Sequence, residues 1–124
     1  MGQGGRQKHY RAGLWAERVA GVYLSCKGYR ILARRYKSPV GEIDLIAKRS
    51  GRIGFVEVKY RQNLEQAAFS ISEFQKTRIV QAAKFWLSQN SEEPFEELSF
   101  DAVLLAPWAL PQHIQNAFED RGGR

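Results

Sequence analysis

Cysteine is nearly absent: Cys26 stands alone in 124 residues. A single thiol excludes an internal disulfide framework and a thiolate zinc cage, and it suits a reducing cytoplasm. Histidine is almost as scarce, with only His9 and His113, so no imidazole-rich metal centre is expected. No apolar run approaches the roughly 20 residues of a membrane span, and no membrane partner is expected. The opening Met1-Gly2-Gln3-Gly4-Gly5-Arg6 has no apolar stretch behind it and does not read as a secretory signal. What is present is globular: 44% hydrophobic residues in a chain of this length are enough for one core and too few for two.

Charge is unevenly spread. Residues 1–61 hold 14 Lys or Arg against Glu17, Glu42, Asp44 and Glu57, a net +10, whereas residues 62–124 hold five against nine acids, a net −4. A basic half suggests a polyanionic partner; the bland alternative is a solvated charged surface. Arg11, Arg34, Arg35, Lys37 and Arg61 are the candidate phosphate contacts.

Residues 1–11 are Gly-rich, basic and without periodicity, and read as a flexible arm; residues 12–124 read as a single domain. Ala16, Val19, Ala20, Tyr23 and Leu24 recur at helical spacing, with Gly28 as a stop. Residues 29–36 read as a short strand. Residues 41–48 and 53–61 alternate as two further strands around the Arg49-Ser50-Gly51-Arg52 turn. Residues 62–68 read as a polar loop. Ser72 and Gln75 have capping-box spacing for a helix running to about Gln89, with Ile79, Ala82, Ala83, Trp86 and Leu87 as its apolar stripe. Residues 98–106 read as an apolar strand, and a short helical turn is expected between Pro111 and Phe118. The fold class is α/β: a single small domain with a mixed sheet flanked by helices, in the order αβββαβ.

The four acids of the basic half fall in suggestive places. A hairpin symmetric about Ser50-Gly51 sets Asp44 opposite Glu57 and Glu42 opposite Lys59. Opposed residues on one face have Cβ atoms about 4.5–5.5 Å apart, and two carboxylates that close repel unless something positive lies between them. A divalent cation, Mg²⁺ or Mn²⁺, answers that need with oxygen ligands. Lys59 projects one pleat beyond Glu57, where a cation can contact a scissile phosphate or orient an attacking water. Glu17 sits among Gly13, Ala20 and Gly21, small neighbours that let its helix approach the sheet and let it reach over as a third carboxylate. Each residue alone also reads as an ordinary surface charge, Glu17 paired with Arg18 or Arg11 for example. The combination favours a metal site.

Gly41-Glu42-Ile43-Asp44-Leu45-Ile46-Ala47 followed by Phe55-Val56-Glu57-Val58-Lys59-Tyr60-Arg61 resembles the signature of the YraN family of small bacterial proteins. That family is similar to the PD-(D/E)xK nuclease superfamily, in particular archaeal Holliday junction resolvases. The resemblance runs from Gly13 to Phe118. It implies a restriction-endonuclease-like core and a cytoplasmic, Mg²⁺- or Mn²⁺-dependent endonuclease acting on nucleic acid, most simply DNA. Asp44, Glu57 and Glu17 would be its catalytic metal ligands and Lys59 its catalytic lysine. Tyr60 departs from the Thr or Ser expected there; its alternation points it away from the acids. A homodimer follows from the resolvase analogy alone. The alternative is a nucleic-acid-binding module that uses the same basic half without turnover.

Other residues have plainer readings. Glu42 is expected to pair with Lys59, or else to help bind metal. Lys76 either points toward phosphate or is a solvated first-turn lysine. Asp101 reads as a strand-edge acid or structural hydrogen-bond partner, His113 as a capping or interface residue, and Cys26 as a small helix-face residue. Trp15, Trp86 and Trp108 read as core or interface rather than as base-stacking platforms.

Overall fold

The computed structural model describes residues 2–120, with side chains from Gly13 onward. Its elements are α1 (Gly2–Cys26), β1 (Arg30–Ser38), β2 (Gly41–Arg49), β3 (Arg52–Tyr60), α2 (Leu64–Ala68), α3 (Glu73–Gln89), β4 (Glu97–Leu105) and β5 (Gln112–Phe118). One five-stranded sheet has the order β1-β2-β3-β4-β5. Every neighbouring pair is antiparallel except β3 and β4. That parallel pair needs a crossover, and α2 with α3 supplies it. The αβββαβ order is present, with α2 and β5 added.

The β2–β3 register is the one the alternating pattern predicts. Leu45 faces Val56, Ile46 faces Phe55 and Arg49 faces Arg52. Ser50 and Gly51 both have positive φ, 51° and 82°, the backbone of the tight turn whose twist matches a hairpin.

Two apolar layers sandwich the sheet. On one side Ala16, Ala20 and Leu24 of α1 bury Leu45, Ala47, Val56, Val58 and Val103. On the other, Ile79, Ala82, Ala83 and Trp86 of α3 bury Ile43, Ile46, Ile53 and Phe55. The capping box at the start of α3 is complete: Ser72 Oγ accepts from the Gln75 N–H at 3.1 Å and Gln75 Oε1 accepts from the Ser72 N–H at 3.0 Å. Gly41 is required where β2 begins, because a Cβ there would run into the Arg78 backbone carbonyl of α3.

Three expectations change. The predicted helical turn at 111–118 is instead β5, an edge strand paired with β4; a segment with weak periodicity takes its state from the neighbouring strand's free hydrogen-bonding groups. The polar loop 62–68 contains α2, capped by Asn63, whose side chain accepts from the Gln66 N–H at 2.8 Å. Helix α1 extends back to Gly2 through the segment predicted as a flexible arm. Once a helix is nucleated each further residue adds one hydrogen bond. The side chains of residues 1–12, Arg11 among them, lie outside the described residues.

Candidate active site

The α1 layer opens into a cavity of about 850 Å³. Gly13, Ala16 and Glu17 of α1 form one wall, Asp44 of β2 another, and the run 57–62 at the end of β3 the floor. The small residues of α1 keep the helix close without filling the space. The β2–β3 ladder pairs end at Leu45 and Val56. One step further, where the same register sets Asp44 opposite Glu57, Asp44 Oδ2 accepts the Val58 backbone N–H at 2.8 Å. A main-chain donor thus fixes the Asp44 carboxylate at the mouth of the splay between the two strands.

Glu57 and Lys59 are only 8% and 9% exposed, and Lys59 Nζ lies 3.1 Å from Glu57 Oε2. Asp44 is close enough to Glu17 and Glu57 to raise both of their carboxyls. Burial, then the Asp44 charge, pushes the Glu57 carboxyl up to about 8; Lys59 opposes this without prevailing. Glu17 is raised to about 7 by burial first and Asp44 second, against the pull of Arg35 and Lys37. Among the described residues Glu17 Oε1 is buried with no hydrogen-bond donor, and Arg35 Nε lies 3.6 Å from it. Helix, second strand and third strand therefore bring three acids and one lysine into a single cavity, and the acids are set against one another.

These groups suit a hard divalent ion. All three offer carboxylate oxygens, one of them orphaned, and Mg²⁺ takes one or two carboxylates and keeps several waters. Among the described residues no three acidic, histidine or cysteine side chains form a ready-made cage, and an ion that retains its waters does not require one.

The other predicted residues divide. Arg35 reaches Glu17, and Lys37 is close enough to act on its charge. Arg35 has a positive φ of 50°, and a bulge between Ile31 and Ala33 shifts the β1 register. Such irregularities re-aim side chains. Arg61 lines the cavity. Arg34 of β1 reaches a later turn of α1, its guanidinium over Gly21. Glu17 is thus paired with Arg35 and not Arg18. Glu42 does not pair with Lys59, which is held by Glu57; its carboxylate takes Arg78 of α3 at 2.9 Å, where Gly41 brings β2 against α3. Lys76 sits on α3, on the opposite side of the sheet, bonded to Glu73 at 2.9 Å and over the Phe118 ring; it makes no contact in this cavity. Tyr60 lines the cavity with the acids instead of turning away.

A second polar cluster bears out the reading of Asp101 as a structural hydrogen-bond partner and adds His113 as its partner. Asp101 is fully buried in β4, an interior strand and not an edge. Its Oδ2 is 2.9 Å from His113 Nε2 and its Oδ1 accepts the Asn116 N–H at 3.1 Å. His113 Nδ1 meets Lys27 Nζ at 2.9 Å. His113 is therefore an internal tie between β5, β4 and the end of α1. The lone acid inside the apolar run 98–106 was the available signal. Of the tryptophans, Trp86 is core, while Trp15 and Trp108 are exposed. Cys26 is an exposed free thiol. No helix among the described residues is long and apolar enough to cross a membrane.

Comparison with known proteins gives a consistent result. The profile of the uncharacterised protein family UPF0102 matches residues 16–105. A UPF0102 protein of Rhodopseudomonas palustris (strain BisA53) is 50% identical over 110 residues, covering 89% of this chain and 85% of its own. One from Nitrobacter winogradskyi is 49% identical over 110 residues, 89% of this chain and 93% of its own. One from Bradyrhizobium diazoefficiens is 49% identical, with 89% and 83% covered.

Proposed function

This chain belongs to the uncharacterised protein family UPF0102, the YraN family, and we propose that it is a divalent-metal-dependent endonuclease of the PD-(D/E)xK kind that hydrolyses phosphodiester bonds in DNA. The observation that carries the reading is the crowding of Glu17, Asp44 and Glu57 around one cavity with Lys59 beside them. Carboxyls buried against each other destabilise a fold, and a cation relieves that cost.

Asp44, Glu57 and Glu17 would hold Mg²⁺ or Mn²⁺. Such an ion supplies Lewis-acid polarisation of a phosphoryl oxygen and lowers the pKa of water. The chain's own groups do the rest. The Val58 N–H holds Asp44 in place, so the acid needs no reorganisation when charge arrives. Lys59, largely shielded from water, places its ammonium where negative charge grows on the phosphoryl oxygens, and shielding strengthens that interaction. Arg61, Lys37 and Arg35 surround the carboxylates with positive charge and would hold the flanking phosphates. Rigid strands position Asp44, Glu57 and Lys59, which favours precise geometry.

The test is cleavage of labelled single-stranded, duplex and four-way-junction DNA with Mn²⁺, in wild type and Lys59→Ala. Metal-dependent cutting that Lys59→Ala reduces by a factor of about 10² or more is expected. Binding of these DNAs without cutting any of them would replace the enzyme with the binding module.

A further inference from the structure

Resting on that reading, we infer that Trp15 and Tyr60 form a stacking platform for an unpaired nucleobase next to the cavity, so that the substrate is DNA with a single-stranded segment rather than uninterrupted duplex. Tyr60 lines the cavity. Trp15 meets it edge to face, with ring centroids 5.6 Å apart and planes at 78°. Trp15 is nevertheless 54% exposed, on the stretch of α1 whose residues 13, 16 and 17 form the cavity wall. A large indole left open beside a cavity that holds three acids and a lysine is neither core nor part of the α1 layer. In an edge-to-face pair only one ring face is engaged, which leaves aromatic surface open to solvent.

The charges around the pair identify its occupant. Tyr60 lies between Lys59 and Arg61 in the chain, and all three line the cavity. A strand whose phosphate rests against these two cations carries its next base toward Tyr60 and Trp15. Stacking on an aromatic side chain is tolerant of sequence because every base has a π-face. It is not tolerant of pairing: a base inside a duplex is already stacked on both sides and must be unstacked before it can lie on an indole. The platform therefore discriminates by strandedness. A protein partner at Trp15 would gain nothing from two cations and a cluster of acids a few residues away.

Binding is measured by fluorescence anisotropy with divalent metal chelated, so that the readout does not depend on cleavage. The probes are a single-stranded oligonucleotide, a forked duplex and a blunt duplex. Trp15→Ala should weaken binding of the first two by roughly 5- to 100-fold and of the blunt duplex by no more than about 2-fold, with Trp15→Phe restoring most of the loss. Oligonucleotides carrying 5-iodouracil should photocross-link to Trp15 or Tyr60 in the wild type. Thermal melts of both variants should match wild type, since Trp15 is largely exposed. Equal effects on all three DNAs, or unchanged affinity for single strands, would overturn the inference while leaving the nuclease reading standing. A change of oligomeric state in Trp15→Ala with unchanged DNA affinity would overturn it in favour of a self-association surface. Failure of the wild type to bind any of the three probes would remove the inference together with the reading beneath it.

Discussion

Two acid-bearing sites in this molecule are built on opposite principles. Asp101 is fully enclosed, and each of its oxygens has a partner, His113 on one and the Asn116 N–H on the other. Glu17, Asp44 and Glu57 are also drawn away from water, but they lean on one another, and Glu17 keeps an oxygen without a donor among the described residues. A buried acid that serves the fold is supplied with donors. One that serves chemistry is left with unmet demand, which a ligand can satisfy. The two clusters should therefore respond in opposite ways when an acid is removed.

The largest effect is expected at the satisfied cluster. Asp101→Ala strips partners from His113, Lys27's hydrogen-bonded neighbour, and from the Asn116 N–H; it should destabilise by about 3 kcal/mol or more in urea unfolding. A loss below 1 kcal/mol would erase the contrast. Lys59→Ala comes next: turnover should fall by a factor on the order of 10², while Mn²⁺ affinity measured by calorimetry survives.

The pH dependence sharpens the contrast. Glu17 and Glu57 hold their protons in the folded state to about 7 and about 8, against 4.5 for an ordinary glutamate. Between those values the folded protein binds more protons than the unfolded chain, so the stability this provides is complete below pH 4.5 and is lost as pH rises through 7 and 8. Metal-free thermal melts should fall from pH 5 to pH 9, and Glu57→Gln should flatten most of the slope. Glu42 and Glu93, whose carboxyls are lowered by Arg78 and Lys48, act only at lower pH. A melting temperature that climbs over this range would contradict the arrangement.

Smallest is Asp44→Asn. It removes the charge that crowds both glutamates and keeps an oxygen for the Val58 N–H, so metal-free stability should hold or rise slightly. A clear loss would mean that Asp44 is as structural as Asp101.

The sequence carried the parts of this picture that depend on neighbours in the chain. The Ser50-Gly51 turn and the alternation around it determine the β2–β3 register, and with it the approach of Asp44 to Glu57. Ser72 and Gln75 mark the start of α3 in the same local way. What was not legible depends on partners distant in sequence. Glu42 turns to Arg78 because Gly41 brings β2 against α3, a contact 37 positions away. β5 becomes a strand because β4 offers it an edge, and only then does His113 find Asp101. Strict alternation places Tyr60 on the side away from the acids, yet it lines the same cavity, which lies beyond the last β2–β3 ladder pair.

The most direct measurement is a calorimetric titration of the wild type and Asp44→Asn with Mn²⁺ at pH 8, with thermal melts alongside. The account predicts one saturable site in the wild type, a rise in melting temperature on binding, and loss of both in Asp44→Asn while that variant remains as stable as wild type without metal. A folded wild type that takes up no Mn²⁺, together with an Asp44→Asn variant that melts lower than wild type without metal, would show the cavity to be a structural cluster like the one at Asp101.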